Sequence, residues 1–496
     1  MSAHVQTATM PPHGKIGRTS SSLLVISVLI AVLFFLIPAP QGIPAGAWHV
    51  LGLMIPTIVV WATEAIPIGI SSTFFLTLVV VTGIAKADIA FSGFLNDFTW
   101  LMMGAFSISV AVQKTGLSRR MSYYILSKAK GYWGMIAAGY VVQTCLMAVP
   151  SGAARDSIVA PVANSIMDAA GRPTDSNFSR FLAYHYQMAN HVWVALLVMT
   201  GSADNPVMLS LFTKLTGATI SWSQYFVVML VPAAVVTLTL IVGSLLICKP
   251  EKELVALVKD SRAATEVYRS LGPLSLDEKK VLVAFFAVVV LWITGSWIHL
   301  SAGWAAMIVA SLLFFPAIGV LQGSDISKVN WNIVLMIGSV QGLGGILQTS
   351  GLAAISASAV ISPLLDPLSA FGLFGIAVGC VIISWLLHFV LPSPNNIALS
   401  LPILVAWGAM HPGLMSPAAM FAFFGIMSLI GSKIVFLPYQ LPPLYILLGM
   451  GVTDVQKYNV FLMKMYPVVA VGIVLASFVA FGIIGMTGYG LAGYSL

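Results

Sequence analysis

Residues 149–156, Val149-Pro150-Ser151-Gly152-Ala153-Ala154-Arg155-Asp156, form a polar, small-residue island between two apolar arms. The arms, residues 132–148 and 157–167, are each too short to cross a bilayer as a helix, which takes about 20 apolar residues. The pair therefore reads as a re-entrant hairpin whose tip brings free backbone groups and an Arg-Asp pair to membrane depth. Such groups are tolerated there only against protein or a watery cavity. A second island, Leu391-Pro392-Ser393-Pro394-Asn395-Asn396, separates residues 371–390 from 397–410. One interruption in each half of the chain points to a transporter's central binding site.

The surrounding sequence belongs in lipid. Of 496 residues 59% are hydrophobic and 8% charged, whereas soluble domains carry about 25% charged residues. The expected fold class is an all-α polytopic membrane protein. Cys145, Cys248 and Cys380 lie in apolar segments with neither a disulfide frame nor a zinc spacing. The net charge of +7 serves topology, so no nucleic-acid partner is expected. Candidate spans are 23–37, 48–62, 70–84, 100–112, 192–212 (broken), 225–248, 281–297, 304–320, 333–347, 421–448 (broken) and 466–484. That makes about eleven crossings besides the two hairpins. With the N-terminus cytoplasmic, eighteen of the 23 Lys and Arg residues fall inside and only Lys86 and Lys214 outside, which orients the chain. An odd number of spans then puts the C-terminus outside.

Residues 97–100 followed by 112–117 (Asp-Phe-Thr-Trp, Val-Gln-Lys-Thr-Gly-Leu) are echoed by residues 328–331 and 347–352 (Lys-Val-Asn-Trp, Leu-Gln-Thr-Ser-Gly-Leu). The echoed spans run in opposite directions, so the second copy is expected upside down, as an inverted repeat. The expected organisation is a cytoplasmic tail (1–21), an extra first span (22–47), a first repeat (48–248) with an inner hairpin (132–168), a cytoplasmic linker with helical character (249–280), and a second repeat (281–496) with an outer hairpin (371–410). Two helices are expected to break. The first break is Thr200-Gly201-Ser202-Ala203-Asp204-Asn205-Pro206 and the second is Phe436-Leu437-Pro438-Tyr439-Gln440-Leu441-Pro442-Pro443. Proline removes a donor and clashes with the preceding turn, leaving carbonyls and N–H groups free to meet an ion.

Each candidate residue has a functional and a plain reading. Ser151 and the backbone of Gly152 and Ala153 are placed to donate to a carboxylate at a positive helix end, or simply to make a tight turn. Arg155 either pairs with a substrate carboxylate or is neutralised by Asp156 or Asp204. The two acids either carry a coupling proton or serve Arg155 permanently. Asn205 with the carbonyls of Gly201 and Ser202 forms half of an oxygen-lined site, mirrored by Pro438 to Pro442 and Asn395, or caps a kink. Lys433 either attracts an anion or snorkels. His185, His191 and His388 share no ligand spacing and read as packing residues, and Glu64 as a helix cap. The candidate substrate-binding set is Ser151, Gly152, Ala153, Arg155, Asn205, Pro206, Ser393, Asn395, Asn396 and Pro442. The candidate cation-binding set is Ser151, Gly201, Ser202, Asp204, Ser393, Asn395 and Pro438. No metal cluster, cofactor motif or enzymatic constellation stands beside the Arg155-Asp156 pair, so an enzyme is not expected.

Trp61-Ala62-Thr63-Glu64-Ala65-Ile66-Pro67, Trp100-Leu101-Met102-Met103-Gly104-Ala105-Phe106 and Lys114-Thr115-Gly116-Leu117-Ser118-Arg119-Arg120 resemble the divalent anion/sodium symporter family over almost the whole chain. Pro150-Ser151 with Ala154-Arg155 and Pro161, the Ala203-Asp204-Asn205-Pro206 break, and His388-Phe389 before Ser393 resemble its branch of citrate/succinate antiporters and plastid 2-oxoglutarate/malate translocators. The resemblance implies an elevator-type homodimer in a bacterial inner membrane, carrying di- or tricarboxylates by exchange or by sodium or proton symport. The alternative cargo is sulfate or another inorganic or sulfonated anion. Family tips read Ser-Asn-Thr or Ser-x-Thr. Here Gly152 and Ala153 follow Ser151, and Asn395 takes the Thr position in the second tip.

Overall fold

Serine or asparagine side chains cap the amino ends of seven described helices. The computed structural model describes residues 18–63, 65–216, 219–259, 262–389, 391, 393–411, 417–433, 448 and 451–487, and among them no strand element forms. Ser221 and Ser275 open the helices Trp222–Ile247 and Leu276–Ile298 with capping boxes, answered three residues later by Gln224 and Glu278. Six described helices are long and apolar enough to span a bilayer by length and composition, and four further apolar helices are shorter. Burial separates the centre from the rim. Most of the apolar window of Trp331–Thr349 is buried (72%), against 28% for Leu276–Ile298, which turns Val283, Phe286 and Val290 outward. Apolar side chains so exposed suit a lipid-facing wall.

The echoed sequence takes closely similar local structure in its two places. Asn96 accepts from Phe98 N at 2.9 Å to cap Asp97–Thr115, and Asn330 accepts from Ile333 N at 3.3 Å to cap Trp331–Thr349. Both helices have 19 residues. Each is followed by a glycine in the left-handed region, Gly116 (φ 78°) and Gly351 (φ 81°), which begins the next helix. A side chain there would meet the Cβ penalty of positive φ.

Three expectations about element edges are corrected. The first broken helix begins at Asn177, not at residue 192: Asn177–Met188 runs on through a widened turn, Ala189–Val194, to Leu197. Its Tyr184, His185, Gln187 and Asn190 are buried against other helices, so a hydropathy window misses a helix that never faces lipid. The last span begins at Val455 rather than 466. A helical segment over Leu352–Ser369, absent from the candidate spans, follows Gly351.

The linker is helical, as expected, over Lys252–Leu257 and Arg262–Ser270. It is also clamped. Arg120 donates to Glu278 at 2.6 Å and to the carbonyls of Leu271 and Gly272 at 3.0 and 2.6 Å. Glu251 accepts from Asn177 N and Phe178 N, closing the start of the first broken helix.

Candidate functional site

Both hairpins turn more tightly than their polar islands suggest. The first consists of Gly131–Cys145 and Gly152–Ala169, the second of Gly372–His388 and Ser393–Ala409. Ser151 is an N-cap, its Oγ accepting from Ala154 N at 3.2 Å. Arg155 and Asp156 therefore sit on the opening turns of a helix and not in the tip, and Asn395 and Asn396 do the same in the second hairpin. Each tip is thus faced by the amino end of a helix, where unpaired N–H groups favour an anion.

Arg155 is 1% exposed and gathers three elements around itself. Its Nε and Nη2 donate to Asn190 Oδ1 at 2.9 and 2.6 Å, its Nη2 also to Gly201 O at 2.8 Å, and its Nη1 to Val149 O. Asn190 in turn donates to Gly152 O at 2.9 Å, and Thr200 donates to Met147 O at 3.1 Å. The guanidinium thus ties the first tip to the first break through neutral oxygens. Neither Asp156 nor Asp204 is among its hydrogen-bond partners. Asp156 instead accepts from Gln143 Nε2 on the opposite arm at 3.1 Å.

The first break spans residues 198–203, two residues earlier than expected, and Asp204, Asn205 and Pro206 open the next helix rather than lie in the break. Asn205 closes it, donating from Nδ2 to Ala195 O at 2.7 Å and Val198 O at 2.8 Å, while its buried Oδ1 has no hydrogen-bond partner. Pro206 is buried just behind it. The helix Pro417–Gly431 ends in a turn at Ser432 and Lys433; the expected second break, with Pro438 and Pro442, lies outside the described residues, as do Glu64 and Pro392. What is described there joins the halves. Lys433 is ion-paired with Asp204 and donates to Ser202 Oγ at 3.4 Å. Ser432 Oγ reaches Asp204 Oδ2 at 3.4 Å, and Ser393 Oγ donates to Ser432 O at 2.8 Å. A polar chain therefore runs from the first tip through the first break and the turn after Pro417–Gly431 to the second hairpin. His191 and His388 lie within electrostatic reach of Lys433.

Three of the seven residues expected to face a bound cation already meet cations of the chain itself. Gly201 O takes Arg155, while Ser202 and Asp204 take Lys433. Asn396 ties the arms of the second hairpin, donating to Ser384 O at 2.8 Å. Asn395 differs from all of these: it is fully buried and neither its Nδ2 nor its Oδ1 has a partner. Ser151, Gly152, Ser202 and Ala203 are half-buried, and the second-hairpin residues Ser393, Asn395 and Asn396 are buried, so the accessible edge is the first tip beside the first break. Two cavities, of about 330 Å³ along Tyr140, Thr144 and Trp193 and about 200 Å³ along Pro161, Ser165 and Arg262, lie away from it. Among the described residues no group of three or more His, Cys, Asp or Glu is placed to hold a metal ion.

Asn190, Gln143 and Ser432 were not in the candidate set. Gln143 carried a signal, an isolated carboxamide after an apolar run. The widened turn at Ala189–Val194, a feature frequent at functional sites, contains Asn190.

A family model described as the sodium:sulfate symporter transmembrane region matches residues 18–484. YflS of Bacillus subtilis (strain 168), named provisionally as a malate transporter, is 28% identical over 359 residues, 70% of this chain and 74% of that protein. The chloroplastic dicarboxylate transporter 1 of Spinacia oleracea is 26% identical, covering 66% of this chain and 58% of that one. The citrate/succinate antiporter of Escherichia coli (strain K12) is 25% identical over 88% of this chain and 92% of its own length.

Proposed function

This chain belongs to the family of sodium:sulfate symporter transmembrane regions, membrane transporters of small anions, and on that premise we propose that it carries di- or tricarboxylates by a secondary mechanism that needs no bound sodium. The observation that carries the proposal is the placement of Arg155 and Lys433. A sodium ion at a broken helix neutralises carbonyl and hydroxyl oxygens and ties the break to a hairpin tip. Here Arg155 ties Gly201 O to Val149 O, and Lys433 ties Ser202 and Asp204 to the end of the helix Pro417–Gly431. Fixed side chains supply the charge that a diffusible ion would otherwise bring.

The anion is received at the half-buried edge. Ser151 accepts in its cap, which leaves its hydroxyl proton to donate to a carboxylate oxygen, and Gly152 and Ala153 belong to the first turn of the helix, whose N–H groups lack intrahelical partners. Asn395 supplies an unpaired donor and acceptor from the second hairpin. Carboxylate cargo is further supported by relatives named for malate, dicarboxylates and citrate/succinate. A compact inorganic anion is the second reading, favoured by a first tip that offers no side-chain donor beyond Ser151.

Purified protein in liposomes, loaded with counter-substrate, is expected to take up labelled malate, succinate, 2-oxoglutarate or citrate at the same rate in sodium and in potassium. Uptake that requires sodium would refute the fixed-cation reading. Competition by sulfate and by none of the carboxylates would move the cargo to the second reading.

A further inference from the structure

The first hairpin holds an acid that the reading above does not use. Asp156 is 1% exposed, adjoins Arg155, and yet is not bonded to it. Its Oδ1 accepts from Gln143 Nε2 at 3.1 Å, its Oδ2 has no hydrogen-bond partner, and Asn190 is close by. It lies little more than one helical turn behind Ser151, where the proposed anion meets the helix end.

Charge at this junction is closely matched. Lys433 and Asp204 cancel each other, and Arg155 is cancelled if Asp156 is ionised. A dianion then enters a half-buried site with no net positive charge and with a buried carboxylate little more than one helical turn behind the helix end that receives it. Like charges brought together at low dielectric are strongly unfavourable. A proton on Asp156 removes the opposing charge and leaves Arg155 to offset one of the two charges of the cargo. Resting on the carboxylate reading, we infer that Asp156 is a proton-coupling residue: it takes a proton from solvent as the anion binds, carries it with the cargo, and releases it on the far side.

The neighbouring groups isolate this acid. On the elements packed against the arm, Tyr140 is bonded to His185 at 3.0 Å, Tyr186 donates to Met135 O, and Arg120 is held by Glu278. Tyr123 lies at the arm's other end, beside Pro161 and Ser165. Arg155 faces Asp156, and beyond it stand His191, Lys433 and His388. The two histidines are the rival proton carriers.

The test is calorimetric titration of the full chain with 2-oxoglutarate, a dianion at neutral pH, in buffers of differing ionisation heat. Between pH 6.5 and 8.5 we expect up to one proton taken up per anion bound, with affinity rising by up to about tenfold per unit fall in pH, as linkage requires. Asp156→Asn keeps an acceptor for Gln143 and is expected to bind with no proton uptake and flat affinity, whereas His191→Gln and His388→Gln retain the uptake. Binding without proton uptake by the native chain overturns the inference and leaves the carboxylate reading standing. Uptake that survives in Asp156→Asn, or disappears in either histidine variant, also overturns it. If the Asn variant does not fold, the native proton count and the histidine variants decide. Absence of binding heat with 2-oxoglutarate, malate and citrate alike removes both readings.

Discussion

Lys433 and Asp204, 229 residues apart in the chain, form a buried ion pair in which the two side chains are 0% and 3% exposed. The pair joins the first break to the carboxyl end of the helix Pro417–Gly431, and through Ser432 and Ser393 it also reaches the second hairpin. The halves of the molecule are therefore coupled through charge between the start of one helix and the end of another.

Removing one member strands the other. Lys433→Met or Asp204→Asn alone is expected to cost about 3–5 kcal/mol, the usual result of leaving a buried charge unpaired. The double variant should recover much of that loss. A thermal-denaturation double-mutant cycle checks it, and additive losses would mean that the two groups do not act as a pair.

Arg155→Lys keeps the charge and loses the geometry. An ammonium cannot reach Asn190 Oδ1, Gly201 O and Val149 O together as the planar guanidinium does. We expect a folded protein whose initial uptake rate falls by about tenfold or more, equivalent to about 1.4 kcal/mol. An unchanged rate would relegate the arginine to charge alone.

Asn395→Leu should separate stability from activity. Both polar atoms of Asn395 are buried without partners, and replacing such a group by an apolar one of similar shape is neutral or stabilising. The variant is expected to melt at the same temperature or higher and to lose uptake. A destabilised variant with normal uptake would remove Asn395 from the binding site.

Outside the membrane-spanning segments, Lys114 and Lys328 hold the Asp325 carboxyl well below the usual carboxylate range, at 2.6 and 2.8 Å. A carboxyl depressed in the folded state stabilises above its unfolded value of about 3.9 and loses that contribution as pH falls toward the folded value. The melting-temperature gap between native protein and Asp325→Asn should hold steady from pH 7 to 5 and close below about pH 4. A gap independent of pH would place the effect in packing.

Much of the candidate site was legible because polar residues in an apolar chain are conspicuous. Ser151, Arg155, Asp204, Ser393 and Lys433 each interrupt a hydrophobic run, and lipid tolerates such interruptions only where they have partners. What could not be read was who partners whom. Arg155 had Asp156 and Asp204 as obvious mates, and it takes Asn190 and two carbonyls instead. Asn190 itself lies in a helix that hydropathy missed, because that helix is screened from lipid by its neighbours.

The sequence by itself determined that this chain is helical and membrane-bound, where two hairpins and the first break fall, and which family it resembles. These follow from local composition, since apolar length, caps and prolines act on their own neighbourhood. Only the tertiary structure decided that Arg155 and Lys433 stand among the oxygens expected for a cation, that Asp204 belongs to Lys433, and that Asp156 is left apart. Such pairings depend on distances between segments up to hundreds of residues apart, and side-chain charge in a buried site is assigned by proximity in space, which no local pattern encodes.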